Sequence, residues 1–152
     1  MLMRADVQRV VEETVAEAVA GCSCSQAVAS VFGRYCGLDE KLLLQLSSGL
    51  AGGVAGAGET CGVVTAGIVV IGATYGPRAV DDVSSRIRTV RLSAEFMNGF
   101  ARAHGSTLCS KLNHGADLQS PEAMKALRES GRPEQLIRSG AELLAALLVR
   151  EQ

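Results

Sequence analysis

The chain has 152 residues, with 15 Lys and Arg against 16 Asp and Glu, for a formal net charge of −1. That length suits one domain, here taken as residues 1–152, and the near-neutral balance offers no electrostatic footprint for nucleic acid or an anionic membrane surface. Five cysteines are an odd number, far below the density of a disulfide scaffold, and Arg4, Asp6 and Arg9 fall where a signal peptide would be apolar, so a reducing cytoplasm is expected, with the cysteines as thiols or ligands.

Taken in chain order, the sequence reads as helical almost throughout. Val7, Val11, Thr14, Val15 and Ala18 recur at helical spacing opposite Glu12, Glu13 and Glu17, giving an amphipathic first helix that ends near Gly21. A second helix, from about Ser23 to Tyr35, carries Val28, Val31 and Phe32 on the face of Cys24, which should point inward. Gly37-Leu38-Asp39 reads as a stop followed by an N-cap, and Leu42, Leu43, Leu44, Leu46 and Leu50 predict an apolar third helix. The run Gly49, Gly52, Gly53, Gly56 and Gly58 either turns or lets another backbone approach closely. A cofactor could be held there, with Gly53 and Gly62 as its candidate contacts, although no phosphate-loop arrangement is present.

Cys61 to Tyr75 carries no charge and is apolar on nearly every face, which requires burial. About sixteen helical residues reach roughly 24 Å, short of the roughly 30 Å of bilayer hydrocarbon, so a protein core is expected and a membrane span is not. A long helix follows from about Asp82 to His104, with Val83, Ile87, Val90, Ala94, Met97 and Ala101 as a packing seam. Arg86, Arg88 and Arg91 are expected on a solvated face or as partners of the acidic first helix. Gly105 to Gln119 reads as one long loop bearing Cys109 and His114, and loops of that length often aim functional side chains. Ser120-Pro121-Glu122 restarts a helix that Gly131 closes, and a last helix from Pro133 to about Arg150 buries Leu136, Ile137, Leu143, Leu144, Leu147 and Leu148. The expectation is an all-α bundle of about six or seven helices around a buried apolar central helix.

The chemistry rests on Cys24, Cys61 and Cys109. Thiols on separate helices that converge imply redox or metal chemistry, and Cys24 and Cys61 fall near expected helix starts, where the helix dipole lowers a thiol pKa. Cys24 or Cys61 is therefore expected to react faster than Cys36, which is expected to pack. No Ser-His-Asp or paired-carboxylate arrangement is readable.

The cysteine settings together resemble the C_GCAxxG_C_C family of redox-active proteins. The resemblance is carried by Cys24-Ser25-Gln26-Ala27-Val28, the Gly52-Gly53 run, Cys61-Gly62, the apolar helix ending in Tyr75-Gly76, and Gly105-Ser106-Thr107-Leu108-Cys109 followed by Leu112. It implies a redox site at Cys24, Cys61 and Cys109. Two departures stand out. Val63 and Ala66 replace the family's small residues after Cys61-Gly62, with Gly67 one place late, so close backbone approach is expected to change. The family's last cysteine, due around Glu134 to Ile137, is absent.

An iron–sulfur cluster, the leading cofactor candidate, usually takes four cysteines, so it or another metal would need Cys22, Cys36, His104 or His114 beside the three thiolates, with Cys22 nearest in sequence. The readings left open are thiol–disulfide or electron transfer with an unknown redox partner, a non-catalytic metal- or cluster-binding module, and a helical interaction protein that has lost the site. The apolar seam also suggests a homodimer through helix faces.

Overall fold

The computed structural model describes residues 2–152. Eight α-helices follow one another: α1 (Val7–Val19), α2 (Cys24–Tyr35), α3 (Glu40–Leu46), α4 (Gly62–Tyr75), α5 (Val83–His104), α6 (Cys109–Leu112), α7 (Pro121–Glu129) and α8 (Arg132–Arg150). No strand is present among the described residues, and the class is all-α as expected.

Local chemistry sets most of these boundaries. At the start of α2, Ser23 Oγ accepts from the Gln26 amide at 3.3 Å while the Ser23 amide donates to Gln26 Oε1 at 3.3 Å, a reciprocal cap. Asp39, Asp82 and Ser120 cap α3, α5 and α7 with side-chain oxygens 3.0, 3.0 and 3.2 Å from the third residue's amide. Gly105, in the left-handed region at φ +77, ends α5.

The central helix is α4, packed against α2, α5 and α8. Its two flanking crossings are close because glycine stands at each. A Cβ on Gly67 would run into the Phe96 ring of α5, and one on Gly140 of α8 would run into Val63. The absent side chain at Gly140 is what admits Val63 at the place where the family pattern has a smaller residue. One hydrophobic cluster unites Val10, Val28, Phe32, Val64, Ile71, Phe100, Leu144 and their neighbours.

Several expectations need correction. The helix count is eight, because α6 lies inside the expected long loop. Of the expected apolar face of α3 only Leu43 is buried, while Leu42 and Leu46 are exposed. The seam predicted on α5 is the wrong stripe: Val83, Ile87, Val90 and Met97 are exposed, and Leu92, Phe96 and Phe100 face the core. Two apolar stripes compete on that helix, and the one with two phenylalanines buries more area per residue. Arg88 and Arg91 meet Glu151 at the chain's end, at 3.5 and 3.2 Å, instead of α1. The α1 acids pair with Arg34 and Arg138. No helix among the described residues is long and apolar enough to cross a membrane.

Candidate functional site

Three cysteines occupy three helix starts. Cys24 is the first residue of α2, Cys61 the N-cap of α4 and Cys109 the first residue of α6. Cys24 and Cys61 are brought together because Gly62 has no side chain: a Cβ there would sit 3.2 Å from the Ser25 amide and 3.3 Å from Ser25 Cβ. Cys61 and Cys109 are joined by an antiparallel bridge between Thr60 and Leu108, the residues just before each cysteine. Its hydrogen bonds run from the Cys61 amide to Thr107 O at 2.8 Å and from the Cys109 amide to Glu59 O at 2.7 Å. The Ser110 amide adds a third, to Gly58 O at 3.0 Å. Cys109 therefore stands on a helix whose first amides are satisfied from elsewhere in the fold, which is why no local capping signal marks α6.

The glycine run supplies the close approach. A Cβ on Gly53 would lie 2.5 Å from Cys109 Cβ and 2.6 Å from Glu59 O, so any side chain there would displace the bridge. Gly52, Gly53, Val54, Ala55 and Gly56 all hold left-handed backbone, with φ from +53 to +75. For Val54 and Ala55 that conformation costs about 1–2 kcal/mol each, a strain that persists only where surrounding contacts enforce it. Here those contacts include Glu59 N to Gly53 O at 2.9 Å and Gly56 N to Ala51 O at 3.0 Å.

Cys24, Cys61 and Cys109 line one cavity of about 600 Å³, together with Cys22, Gly52, Gly62 and Asn113. The rest of its wall includes Leu118, residues of α7 and the start of α8, among them Met124, Leu127, Leu136 and Ile137. The stretch expected to hold the family's last cysteine thus borders the same cavity, with Glu134, Leu136 and Ile137 in place of a thiol. Gly53 is outside that wall and serves the packing of Cys109. His104, which shares a 2.8 Å hydrogen bond with Ser139 and lies against Phe100, and the exposed His114 are also outside it. Cys36 sits at the other end of α2, beside Thr74.

The thiol pKa values run against the lowering expected at helix starts. Burial pushes the Cys24 thiol up to about 11, with the neighbouring Cys109 adding to the rise. Burial likewise pushes Cys61 up to about 12, helped by Cys24 and Cys109 and opposed by the Val63 and Val64 amides. Desolvation outweighs the helix dipole, and both groups are protonated thiols at neutral pH. Cys22 is raised by burial and then by Glu17, whose Oε2 lies 3.9 Å from its sulfur.

Cys109 differs in having a side-chain donor. Burial raises its thiol, but Asn113 pulls it back, donating from Nδ2 to Cys109 Sγ at 3.3 Å and to Cys109 O at 2.9 Å. Asn113 is only 7% exposed, and its Oδ1 has no hydrogen-bond partner. An unpaired buried acceptor costs about 1–3 kcal/mol, so the amide is retained at a loss in stability. Sequence reading missed Asn113, which follows Cys109 by four residues on one helical face but in a segment that reads as loop.

A metal or iron–sulfur cluster fits this donor set poorly. Among the described residues no group of three or more His, Cys, Asp or Glu side chains is arranged to hold a metal ion. Both histidines are off the wall. A second concavity, between α1 and α2, holds Asp6, Arg9, Glu13, Arg34 and Tyr35, whose charges are paired with one another.

A sequence model described as "Putative redox-active protein (C_GCAxxG_C_C)" matches residues 22–147. That span includes all five cysteines, the glycine turn and the cavity wall apart from Ala18, Val19 and Gly21. No curated protein and no solved structure matches the chain.

Proposed function

The chain belongs to the C_GCAxxG_C_C family of redox-active proteins, and on that premise we propose that it works by thiol–disulfide exchange among Cys24, Cys61 and Cys109. The observation that carries this reading is the shared cavity wall. Three thiols from three separate helix starts face one space, and two of them are tied together by a backbone bridge. All five cysteines are free thiols. In the reduced protein two cavity thiols give up two electrons and two protons to an incoming disulfide and become an internal disulfide. Reduction by a partner dithiol returns them. Burial keeps Cys24 and Cys61 as protonated thiols, so whichever of them resolves the mixed disulfide must first give up its proton. The reading places the protein in a reducing compartment such as the cytoplasm, where the resting state is the dithiol.

Equilibration in thiol–disulfide redox buffers tests it, with free thiols counted by intact mass after acid quenching. Two thiols should disappear together over a narrow range of potential, as one two-electron couple. Independent loss of single thiols, or no loss until the protein unfolds, would contradict the proposal.

A further inference from the structure

We infer that the cavity is the binding site of a small, largely uncharged organic disulfide, and that Cys109, held by Asn113, is the thiol that attacks it. This deepens the thiol–disulfide reading and rests on it.

Access comes first. Cys61 and Cys109 are 2% and 6% exposed whereas Cys24 is half-buried, so of the three only Cys24 is open to a disulfide on the surface of another protein, and the Cys109 sulfur is reached through the cavity. A cavity of about 600 Å³ lies within the size range of small-molecule sites. Sharing the wall with the thiols are Leu118, Met124, Leu127, Leu136 and Ile137, which suit an apolar body. The charged groups on the wall, Arg128 and Glu134, are of opposite sign and exposed, and the remaining titratable groups are the thiols of Cys22, Cys24, Cys61 and Cys109. Nothing there recognises a net charge.

The choice of Cys109 follows from its hydrogen bond. Asn113 is the one side-chain N–H donor to a cavity thiol among the described residues. A structural explanation for the amide is weak, because Cys109 O already receives the Asn113 backbone amide at 3.0 Å. Nδ2 donates to Cys109 O at 2.9 Å and also to Sγ at 3.3 Å, and a donor on sulfur favours the thiolate. Turning the amide over would set Oδ1 against Cys109 O, two acceptors, so the donor is fixed on the sulfur side.

The reaction balances as follows. The Cys109 thiolate attacks one sulfur of RSSR, forming Cys109–S–S–R and releasing RS⁻. Cys24 or Cys61 then attacks the Cys109 sulfur, closing the internal disulfide and releasing the second RS⁻. The two protons from the cysteines go to the leaving thiolates, and two electrons pass from protein to RSSR.

The test compares three oxidants on the full chain: 4,4′-dithiodipyridine, oxidised glutathione and the disulfides of insulin, each referenced to its rate with denatured protein. Dithiodipyridine should react with saturation, place its first adduct on Cys109, and show a native-to-denatured rate ratio at least about tenfold above that of either other oxidant. Asn113→Leu should slow Cys109 about tenfold while leaving Cys24 and Cys61 unchanged. A purely structural role for Asn113 would do the reverse, opening the cavity and speeding all three. A first adduct on another cysteine, equal ratios for the three oxidants, or general acceleration in Asn113→Leu overturns the inference. If all three oxidants produce the internal disulfide equally well, thiol–disulfide exchange stands and the binding site falls. If Cys109 is modified with saturation but no internal disulfide follows, the exchange reading itself falls.

Discussion

At their N-terminal ends α2 and α4 meet through Gly62 and Ser25 and present Cys24 and Cys61 to an open cavity. At their C-terminal ends the same two helices meet through Cys36, Thr74 and Tyr75, and that thiol sits against the core with no other cysteine in reach. The helix pair therefore runs parallel, and its two ends treat a cysteine in opposite ways. A thiol near a helix terminus is common; what separates the ends is the third element. At the N-terminal end the bridge of Thr60 with Leu108 and the glycine turn bring in Cys109 and leave space in front of it. At the other end side chains fill the space.

The largest expected effect breaks that contrast at the chemistry. Cys109→Ser should lower the rate of internal disulfide formation with a small disulfide by about a hundredfold or more, read by intact mass after quenching. Cys36→Ser should leave that rate within about twofold. Similar losses in both variants would erase the distinction between the ends.

A second contrast sits within the glycines. Gly53→Ala places a methyl against Cys109 Cβ and Glu59 O at a left-handed position and should cost about 3 kcal/mol or more in denaturant unfolding. Gly105→Ala, at φ +77 with nothing within 4 Å, should cost only about 1 kcal/mol. Equal costs would mean that the turn does not need its close approach to Cys109.

The pH dependence sharpens the comparison more gently. A thiol whose folded pKa is raised stays protonated after the unfolded chain has ionised, so its contribution to stability is full below the unfolded value near 9.0 and is lost as pH rises through the folded value. Melting temperature should fall between about pH 9 and 12, and the double variant Cys24→Ser with Cys61→Ser should flatten that slope. An unchanged slope would show that those thiols are not buried as described. The smallest effect belongs to Cys36→Ala, about 1 kcal/mol of stability with no change in redox behaviour.

Much of this fold was legible in the sequence because its helix boundaries are local. Ser23, Asp39, Asp82 and Ser120 cap with their own side chains, and the uncharged stretch after Cys61 could only be a core helix. What escaped depends on distant parts of the chain. The start of α6 takes its hydrogen bonds from Gly58 and Glu59, so the segment looked like loop and the pairing of Cys109 with Asn113 could not be read as helical spacing. The buried stripe of α5 is chosen by the fit of Phe96 to Gly67, a contact no periodicity reveals. The cysteine trio was readable as a pattern, but thiol pKa was not. Helix-start position argued for lowering, and the burial that decides the matter exists only in the assembled bundle.

The central claim is that the N-terminal ends of α2 and α4, with α6, form one redox unit. Peptide mapping of the protein after stoichiometric oxidation by a small disulfide tests it most directly. The account predicts a single internal disulfide between two of Cys24, Cys61 and Cys109, unchanged in Cys36→Ser. A disulfide that includes Cys36, or three cavity cysteines that remain reduced while the protein stays folded, would contradict it.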